Sequence, residues 1–354
     1  MCIRDRNKGD KKMKKLLSAI LAAALMLSLS ACGNAKTESD KSSEPSPSSV
    51  SSTSSKLDTV CNVYGLNGPT GIGLAPLMKK AEDKTGRLNY NIATVGSNDE
   101  IVAKLTNGEA DIAAVATNLA STLYKKTNGG ISVLAANTLG VLCLVTKGEE
   151  IAEIKDLKGK TVYATGQGAN PEYIINFIFE KNGLKAGEDV TINFVAQPTE
   201  LVAAFAQNEN IIAVAPQPVA TTLTVKDQNA KIALDMNKEW DKVSDTKLVM
   251  GCIVARNEYI QNNPEAVKIF LEEYKDSVDS VNSDTDTAAA LCEKYGIVAS
   301  AAIAKKAIPL CNIVYEDSSK LKTDLSAYLK FLFEANPKSV GGALPDDNFY
   351  YEAK

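Results

Sequence analysis

Polar turns that follow predicted strands are the segments of this chain best suited to chemistry. Each joins a predicted strand to a predicted helix and combines glycine or proline with hydroxyl or amide side chains. In open α/β sheets, small molecules bind beyond the carboxyl ends of the strands. Helix starts offer backbone N–H groups to an anion or polar group, and glycine lets the backbone approach closely. The predicted ligand contacts are Asn67, Gly68, Pro69, Thr70, Gly71, Ser97, Thr117, Asn118, Gly166, Gln167, Gly168 and Asn170.

A purely structural role for the same residues remains open. Side chains such as Thr117 and Asn118 also cap helices, and glycine pairs also form simple turns. Neither Gly71-Ile72-Gly73 nor Gly166-Gln167-Gly168 continues into the pattern G-x-G-x-x-G that binds dinucleotides. We therefore predict no dinucleotide site and no cofactor.

Histidine is absent from the whole chain. Its absence excludes Ser-His-Asp and Cys-His catalysis and every metal site built on histidine, and we predict neither a catalytic residue nor a metal. Beyond residue 31 the only arginines are Arg87 and Arg256, and neither belongs to one of the polar turns. Any charge on a ligand would then be met by helix starts and hydroxyls, or the ligand is neutral.

Cysteine content and charge bound the class of protein further. The five cysteines after residue 56 are odd in number and form no C-x-x-C pair, which argues against a disulfide framework, although a bridge between Cys292 and Cys311 stays open. From Cys32 onward the chain has 32 basic and 41 acidic residues, a net charge of −9, and no basic cluster. We therefore expect no nucleic-acid partner.

The N-terminal segment resembles an export signal. Met13-Lys14-Lys15 is a basic start, Leu16–Leu29 is apolar but shorter than a membrane-spanning helix, and small residues follow. The sequence Leu29-Ser30-Ala31-Cys32 is similar to the lipobox of bacterial lipoproteins, in which the cysteine receives a lipid and begins the mature chain. Residues 1–12 add nothing that a signal needs. We predict an extracytoplasmic protein anchored to the membrane by lipidated Cys32.

A tether separates this anchor from the folded body. Residues 33–56 are rich in serine and almost free of apolar side chains, so they cannot bury enough surface to fold. As a flexible coil, these 24 residues have a root-mean-square reach of roughly 25–30 Å. That length holds a globular body close to a membrane.

The body, residues 57–354, alternates predicted strands and helices and is long enough for two domains. We predict an α/β fold of two lobes, each a mostly parallel sheet flanked by helices. Two continuous apolar runs, Gly140–Thr146 and Leu248–Ala255, are interpreted as paired crossover strands that link the lobes as a hinge. The predicted boundaries are 1–31 for upstream residues and signal, 32–56 for the tether, 57–143 and 248–354 for lobe 1, and 144–247 for lobe 2.

Several stretches in their order along the chain resemble one family. They are Gly68-Pro69-Thr70-Gly71, Asn107–Ala113, Ile154–Lys160, Gly166–Pro171, Pro216-Gln217-Pro218 and Asn263–Ala266. The chain is similar to substrate-binding lipoproteins of ABC importers, of the type II periplasmic-binding fold that serves nitrate, taurine, alkanesulfonates and thiamine-precursor pyrimidines. Gln217, which also lies just past a predicted strand, stands where many relatives carry a glutamate, and we add it to the predicted ligand contacts.

The resemblance implies a function without catalysis. The protein would capture a small polar or anionic solute between its lobes and deliver it, as a monomer, to the permease and ATPase of an importer. Two alternatives stay open: an enzyme of the same fold that acts on a small acid, and a solute-sensing lipoprotein that feeds no transporter. The pyrimidine-synthesising enzymes of this fold rely on histidine and a cysteine-rich loop, and this chain has neither.

Overall fold

Eleven strands within residues 56–352 form the framework of the protein. The computed structural model describes those residues, and the predicted signal, Cys32 and the tether up to residue 55 lie outside them. The strands are β1 (Val60–Leu66), β2 (Asn89–Val95), β3 (Ile112–Ala116), β4 (Ile131–Thr138), β5 (Leu142–Lys147), β6 (Thr161–Thr165), β7 (Thr191–Val195), β8 (Ile211–Pro216), β9 (Ala230–Asp235), β10 (Gly251–Arg256) and β11 (Ile313–Glu316).

Helices alternate with these strands and then dominate the C-terminal third. They are α1 (Pro69–Ile72), α2 (Ala75–Glu82), α3 (Asn98–Thr106), α4 (Thr117–Lys126), α5 (Asn170–Lys181), α6 (Pro198–Gln207), α7 (Val219–Lys226), α8 (Met236–Asp241), α9 (Asn257–Asn262), α10 (Pro264–Ser283), α11 (Thr285–Lys294), α12 (Ala301–Ala307) and α13 (Ser318–Ala335). Short 3-10 turns cover Ile154–Leu157, Ile308–Leu310, Pro337–Val340 and Asp347–Phe349. None of the helices in the described part is long and apolar enough to cross a membrane.

The strands form a six-stranded and a five-stranded sheet, which share one order over five strands, and β11 is the additional edge strand of the first. The first sheet runs β2-β1-β3-β10-β4-β11 and the second β7-β6-β8-β5-β9. Strands β1 to β4 share one direction, as do β6 to β9, so the prediction of mostly parallel sheets is confirmed. The strands that run the other way are β10 and β11 in the first sheet and β5 in the second.

The chain crosses between the sheets twice, through residues 139–141 and 242–250. Strands β5 and β10 are the first strands after each crossing, and each starts beside the carboxyl end of a neighbour: Leu142 pairs with Pro216, and Gly251 with Ala116. A strand that enters a sheet at this edge must run against the strands that end there. The carboxyl ends of both sheets therefore meet at the two crossing segments.

The two apolar runs do form strands, but their predicted pairing is wrong. They correspond to β5 and β10, which lie in different sheets and bond only to strands of their own sheet. Each of these strands bonds to the strands of the sheet that it enters. The lobes are joined instead by segments 139–141 and 242–250, which precede β5 and β10. Strand β5, which spans the predicted boundary at residues 143 and 144, belongs wholly to the second sheet.

Three apolar cores cover the two faces of the sheets. Along β8, Ile212 and Val214 enter one core while Ala213 and Ala215 enter another, because successive side chains of a strand point to opposite faces. One face carries a single core that runs through both lobes and includes α4, α5, α8 and α13, and we name it the shared face. The other, the divided face, carries one core in each lobe.

The cysteines of the described part lie in the apolar cores. All five described cysteines are free and buried, and Cys292 and Cys311 form no bridge.

Helix α10 starts with a proline in its first turn and buries Phe270, Tyr274 and Val278, as its spacing predicts. Strand β11, four residues long, was not predicted from the sequence.

Candidate functional site

The turn after β1 is held mainly by its backbone. Gly68 has φ 92°, a left-handed conformation that favours glycine, and its N–H donates to the Ile297 carbonyl at 3.0 Å. A side chain at Gly71 would place its Cβ 2.4 Å from the Leu66 carbonyl oxygen, so only glycine fits there. Pro69 occupies the first turn of α1. The sequence therefore builds a tight turn, which leaves the exposed Asn67 and half-buried Thr70 side chains at the sheet edge.

Asn137, which sequence reasoning missed, fixes the position of Thr70. Its Nδ2 donates to the Thr70 carbonyl at 3.0 Å, and its Oδ1 accepts from the Thr138 hydroxyl at 3.0 Å. A Cβ at Gly251 would lie 2.5 Å from Asn137 Oδ1 and 2.7 Å from Thr70 Cγ2. Asn137 is 1% exposed, and its signal in the sequence was only a polar side chain at the end of an apolar strand.

Thr117 anchors the second crossing segment. It is fully buried, its hydroxyl donates to the Val249 carbonyl at 2.7 Å, and its N–H donates to the Met250 carbonyl at 3.1 Å. The Thr117 hydroxyl proton is therefore engaged within the protein. The neighbouring Asn118 is half-buried, and its side-chain amide bonds to no group in residues 56–352.

Ser97 acts as a helix cap. Its hydroxyl accepts from the Glu100 N–H at 3.3 Å at the start of α3, and its side chain is exposed. In sheet order β2-β1-β3 the turns that carry Ser97, Asn67–Gly71 and Thr117 are neighbours, so the fold does bring the first-lobe residues to one sheet edge.

In the second lobe, the loop before α5 is shaped by glycine. Gly166 and Gly168 have φ of 85° and 71°, both in the left-handed region. The Gly168 N–H donates to Glu172 Oε2 at 2.5 Å, and the Gly168 carbonyl accepts from the Tyr173 hydroxyl at 2.8 Å. Gln167 is exposed, so its amide is available to solvent or solute.

Asn170 differs from the other predicted contacts. It is 6% exposed at the start of α5, and its Oδ1 has no hydrogen-bond partner among the described residues. A buried amide oxygen without a donor is costly, and the buried Tyr328 hydroxyl beside Asn170 is an internal group with which a solute donor would compete.

Gln217 is bound within its own lobe. Its Oε1 accepts from the Thr221 hydroxyl at 2.7 Å and its Nε2 donates to Cys143 Sγ at 3.4 Å, while the side chain is 2% exposed. Burial raises the pKa of the Cys143 thiol to about 11, so the sulfur stays neutral at physiological pH. Gln217 is thus held at the start of α7 by bonds within its own lobe. The sequence alone did not indicate these partners.

Three helix starts at this edge carry acceptors of the chain itself. The first turns of α3, α5 and α6 each carry acidic residues. Glu172 accepts from Gly168, and Glu200 accepts from the Ala196 N–H at 3.1 Å. The two body arginines bind elsewhere: Arg256 pairs with Asp111 at 2.8 Å, and Arg87 pairs with Glu272. The first turns of α1, α4 and α7, which follow β1, β3 and β8, carry no acidic residue, so these helix starts remain suited to an anion or a neutral polar group.

No metal centre is visible in residues 56–352, where no three potential ligands cluster. A cavity of about 1190 Å³ does occur in the first lobe, lined by residues of α9, α10 and the C-terminal segment, and it contains none of the predicted contacts. The predicted contacts lie instead at the carboxyl ends of β1, β2 and β3 and of β6 and β8, where the two sheets meet.

Comparison with known proteins identifies the family of the chain. Residues 84–288 match the family model described as NMT1/THI5 like. A protein of Brucella abortus that is provisionally named a binding protein is 23% identical over 202 residues, which are 57% of this chain and 61% of that relative.

Solved structures share the fold. A crystal structure described as an ABC transporter from Parabacteroides distasonis is 25% identical, with a TM-score of 0.70, and covers 84% of this chain and 100% of its own. The periplasmic aliphatic sulphonate binding protein of Escherichia coli is 15% identical, with a TM-score of 0.65, and covers 84% of this chain and 94% of its own. The predicted two-lobe periplasmic-binding-protein fold is confirmed.

Proposed function

The chain belongs to the NMT1/THI5-like family, and from this premise we propose that it is the extracytoplasmic solute-binding component of an ABC importer. The observation that carries the proposal is the pair of sheets, which share one strand order over five strands and whose carboxyl ends meet at the two crossing segments. Ligands of open α/β sheets bind at such ends. Each lobe would then supply one wall of a solute cleft, with domain boundaries close to the two crossings.

The cleft would bind solute mainly through amide and hydroxyl groups. Thr70 and Asn118 in the first lobe and Asn170 in the second are the residues to which we assign direct contact, because their side chains are not consumed by bonds inside the protein. Asn67 and Gln167 are exposed and would add contacts at the rim. Thr117 and Gln217 would shape the cleft through their internal bonds, whereas Ser97 caps α3 as an acceptor and keeps its hydroxyl proton free at the rim.

The ligand class follows from these groups. Carboxylates of Glu172 and Glu200 already accept from N–H groups near helix starts, and no arginine of the described chain lies there. With no arginine in place, we favour a small polar solute that is held by amide and hydroxyl groups and by the starts of α1, α4 and α7, which carry no acidic residue. One similar protein of known structure is a periplasmic aliphatic sulphonate binding protein, and that ligand is a property of that protein.

Binding is tested by calorimetry with three probes: taurine, nitrate and a neutral hydroxymethylpyrimidine. We expect Thr70→Ala to lower the affinity of a bound probe roughly tenfold, the value of one or two lost hydrogen bonds, without changing the ligand-free melting temperature. Gln217→Ala serves as the matched control, since its buried bonds predict a lower melting temperature instead. If no probe binds and native mass spectrometry finds no co-purified solute, the proposal fails.

A lipid anchor and a role as a monomer complete the proposal. The lipobox-like sequence that ends at Cys32 supports attachment to the outside of the cell membrane, where a permease and its ATPase would receive the solute. Nothing in the cleft resembles a catalytic group, so we propose binding without catalysis. Palmitate labelling of cells checks the anchor: Cys32→Ser should abolish the label, and persistent labelling would contradict the assignment.

A further inference from the structure

Helix α10 supports the turn that carries Thr70 from behind. The Ser277 hydroxyl of α10 donates to the Gly73 carbonyl at 2.7 Å and accepts from the Leu77 N–H at 3.0 Å, and Ser277 is 1% exposed. Gly73 directly follows α1, and Leu77 lies in α2. One buried serine of α10 therefore fixes the junction between α1 and α2.

Tyr274, one turn before Ser277 on α10, lies against the same junction. A Cβ at Gly73 would be 2.5 Å from the Tyr274 hydroxyl oxygen and 3.2 Å from the ring carbon that bears it. Gly73 has φ −60°, which any residue adopts, so glycine is needed there for space and not for its conformation. The missing side chain at Gly73 leaves room for the tyrosine hydroxyl.

The Tyr274 hydroxyl is also a neighbour of Asn137. Tyr274 is fully buried, and its hydroxyl has no hydrogen-bond partner of regular geometry among the described residues. Burial raises the pKa of this hydroxyl and the Asn137 amide opposes the rise, which places the amide in polar contact with it. A buried hydroxyl without a full partner is unfavourable for stability, so its presence requires another explanation.

Asn137 connects this hydroxyl to the predicted solute contact. Its Nδ2 donates to the Thr70 carbonyl at 3.0 Å. The Thr70 methyl group packs over Gly251, where a Cβ would lie 2.7 Å from Thr70 Cγ2. The Thr70 hydroxyl itself bonds to no group in residues 56–352. The direction of that hydroxyl is therefore set by groups that lie behind and beneath it.

We propose that Tyr274 and Ser277 are positioning residues for solute binding, which act through Asn137 and the α1 junction on the Thr70 hydroxyl. This role rests on the proposed contact between Thr70 and a solute. Neither residue touches the solute, since both are buried behind α1. Ser277 also stabilises the fold through its two bonds, whereas the Tyr274 hydroxyl has no full bond to lose. Positioning and stability can therefore be separated at Tyr274.

The experiment compares two Tyr→Phe variants of the full chain by urea unfolding and calorimetry. In Tyr274→Phe the unfolding midpoint should stay or rise, while the affinity for the best-bound probe among taurine, nitrate and hydroxymethylpyrimidine should fall about fivefold. The control is Tyr259→Phe, whose lost hydroxyl donates to the Val60 carbonyl at 3.2 Å, at the opposite end of β1 from α1. It should lower the midpoint and leave the affinity unchanged.

Two results at Tyr274 would overturn the proposal. One is an affinity that does not fall, or that falls equally in Tyr259→Phe. The other is a lower unfolding midpoint in Tyr274→Phe, which would show that the hydroxyl makes an ordinary structural bond.

Ser277 is tested against a second buried serine of the first lobe. Ser277→Ala should lower both stability and affinity, because it releases the α1 junction. Ser132→Ala removes a serine that is 6% exposed and bonds to the Asn348 carbonyl at 2.9 Å, at the end of β4 away from Thr138, so it should lower stability alone. Equal affinities of the two variants would contradict the role of Ser277.

Nuclear magnetic resonance of the solute-free chain tests the positioning without a ligand. The side-chain amide signals of Asn137 should shift in Tyr274→Phe and stay in place in Tyr259→Phe. Unshifted signals in Tyr274→Phe would overturn the proposal even if no probe binds. Shifted signals together with no binding of any probe would support the positioning and contradict only the proposed function.

Discussion

The shared and divided faces are built from the same strands but connect the lobes in different ways. On the shared face, Trp240, Phe177 and Phe331 join both lobes in one core. On the divided face, each lobe completes its own core, and helices α12 and α7 meet across the lobes. Burial that alternates along a strand can therefore serve two purposes: one face holds the lobes together, and the other lets each lobe fold as a unit.

Among the substitutions that distinguish the two faces, the largest effect on the free energy of unfolding is expected at Trp240. Trp240→Ala should lower the free energy of unfolding by about 3–5 kcal/mol, because a fully buried aromatic side chain is lost. Hydrogen exchange should quicken in both α5 and α13, since Trp240 touches residues of both. Phe205→Ala, in the separate core of the second lobe, is the control and should affect that lobe alone. Faster exchange confined to the second lobe in Trp240→Ala would contradict a shared core.

A smaller effect is expected at the start of α4 on the shared face. Thr117→Val keeps the shape of the side chain but leaves the Val249 carbonyl without its 2.7 Å donor, which should cost about 1–3 kcal/mol. Thr117→Ser retains the hydroxyl and should lose much less. Urea unfolding measures both, and a Thr117→Val protein as stable as the parent would show that this bond does not hold the crossing segment.

The smallest expected effect is on the rate at which the cysteine thiols are alkylated, and the stability of the protein should not change. Burial raises the pKa of Cys143 to about 11 and that of Cys252 further, so both thiols are almost fully protonated at pH 8. Below a pKa the thiolate fraction rises tenfold per pH unit, so alkylation of Cys143 should be roughly tenfold faster at pH 9 than at pH 8.

Peptide mass spectrometry compares the two cysteines in one sample. Cys143 belongs to a core of the divided face and Cys252 to the core of the shared face. Cys143 should react first, because its thiol pKa is raised less than that of Cys252 and its side chain is 2% exposed rather than fully buried. Modification of Cys252 before Cys143 would contradict this order of burial.

Local patterns predicted most elements because they depend on neighbours in sequence. The apolar spacing after Pro264 predicted α10, and the proline after Asn170 predicted the start of α5. Strand β11 escaped prediction because its four residues carry too short a pattern. The polar turns were predicted for the same local reason, since glycine, proline and capping residues mark strand-to-helix junctions.

The partners of those polar residues were beyond local reasoning. Thr117 and Gln217 have side chains suited to a ligand, yet both are bonded inside the protein. Asn137 looked like an ordinary strand residue, although it positions Thr70. A residue type shows which bonds a side chain can make, whereas the fold decides which of those bonds are already made.

The sequence by itself determined the alternation of strands and helices, the absence of histidine chemistry and the polar character of the turns at the strand ends. Only the tertiary structure decided that β5 and β10 enter different sheets and that α13 joins the lobes. The physical reason is distance along the chain. Thr117 bonds to a residue 132 positions away, and Tyr173 to one 163 positions away, and no local pattern specifies which of many distant partners a folded chain brings together.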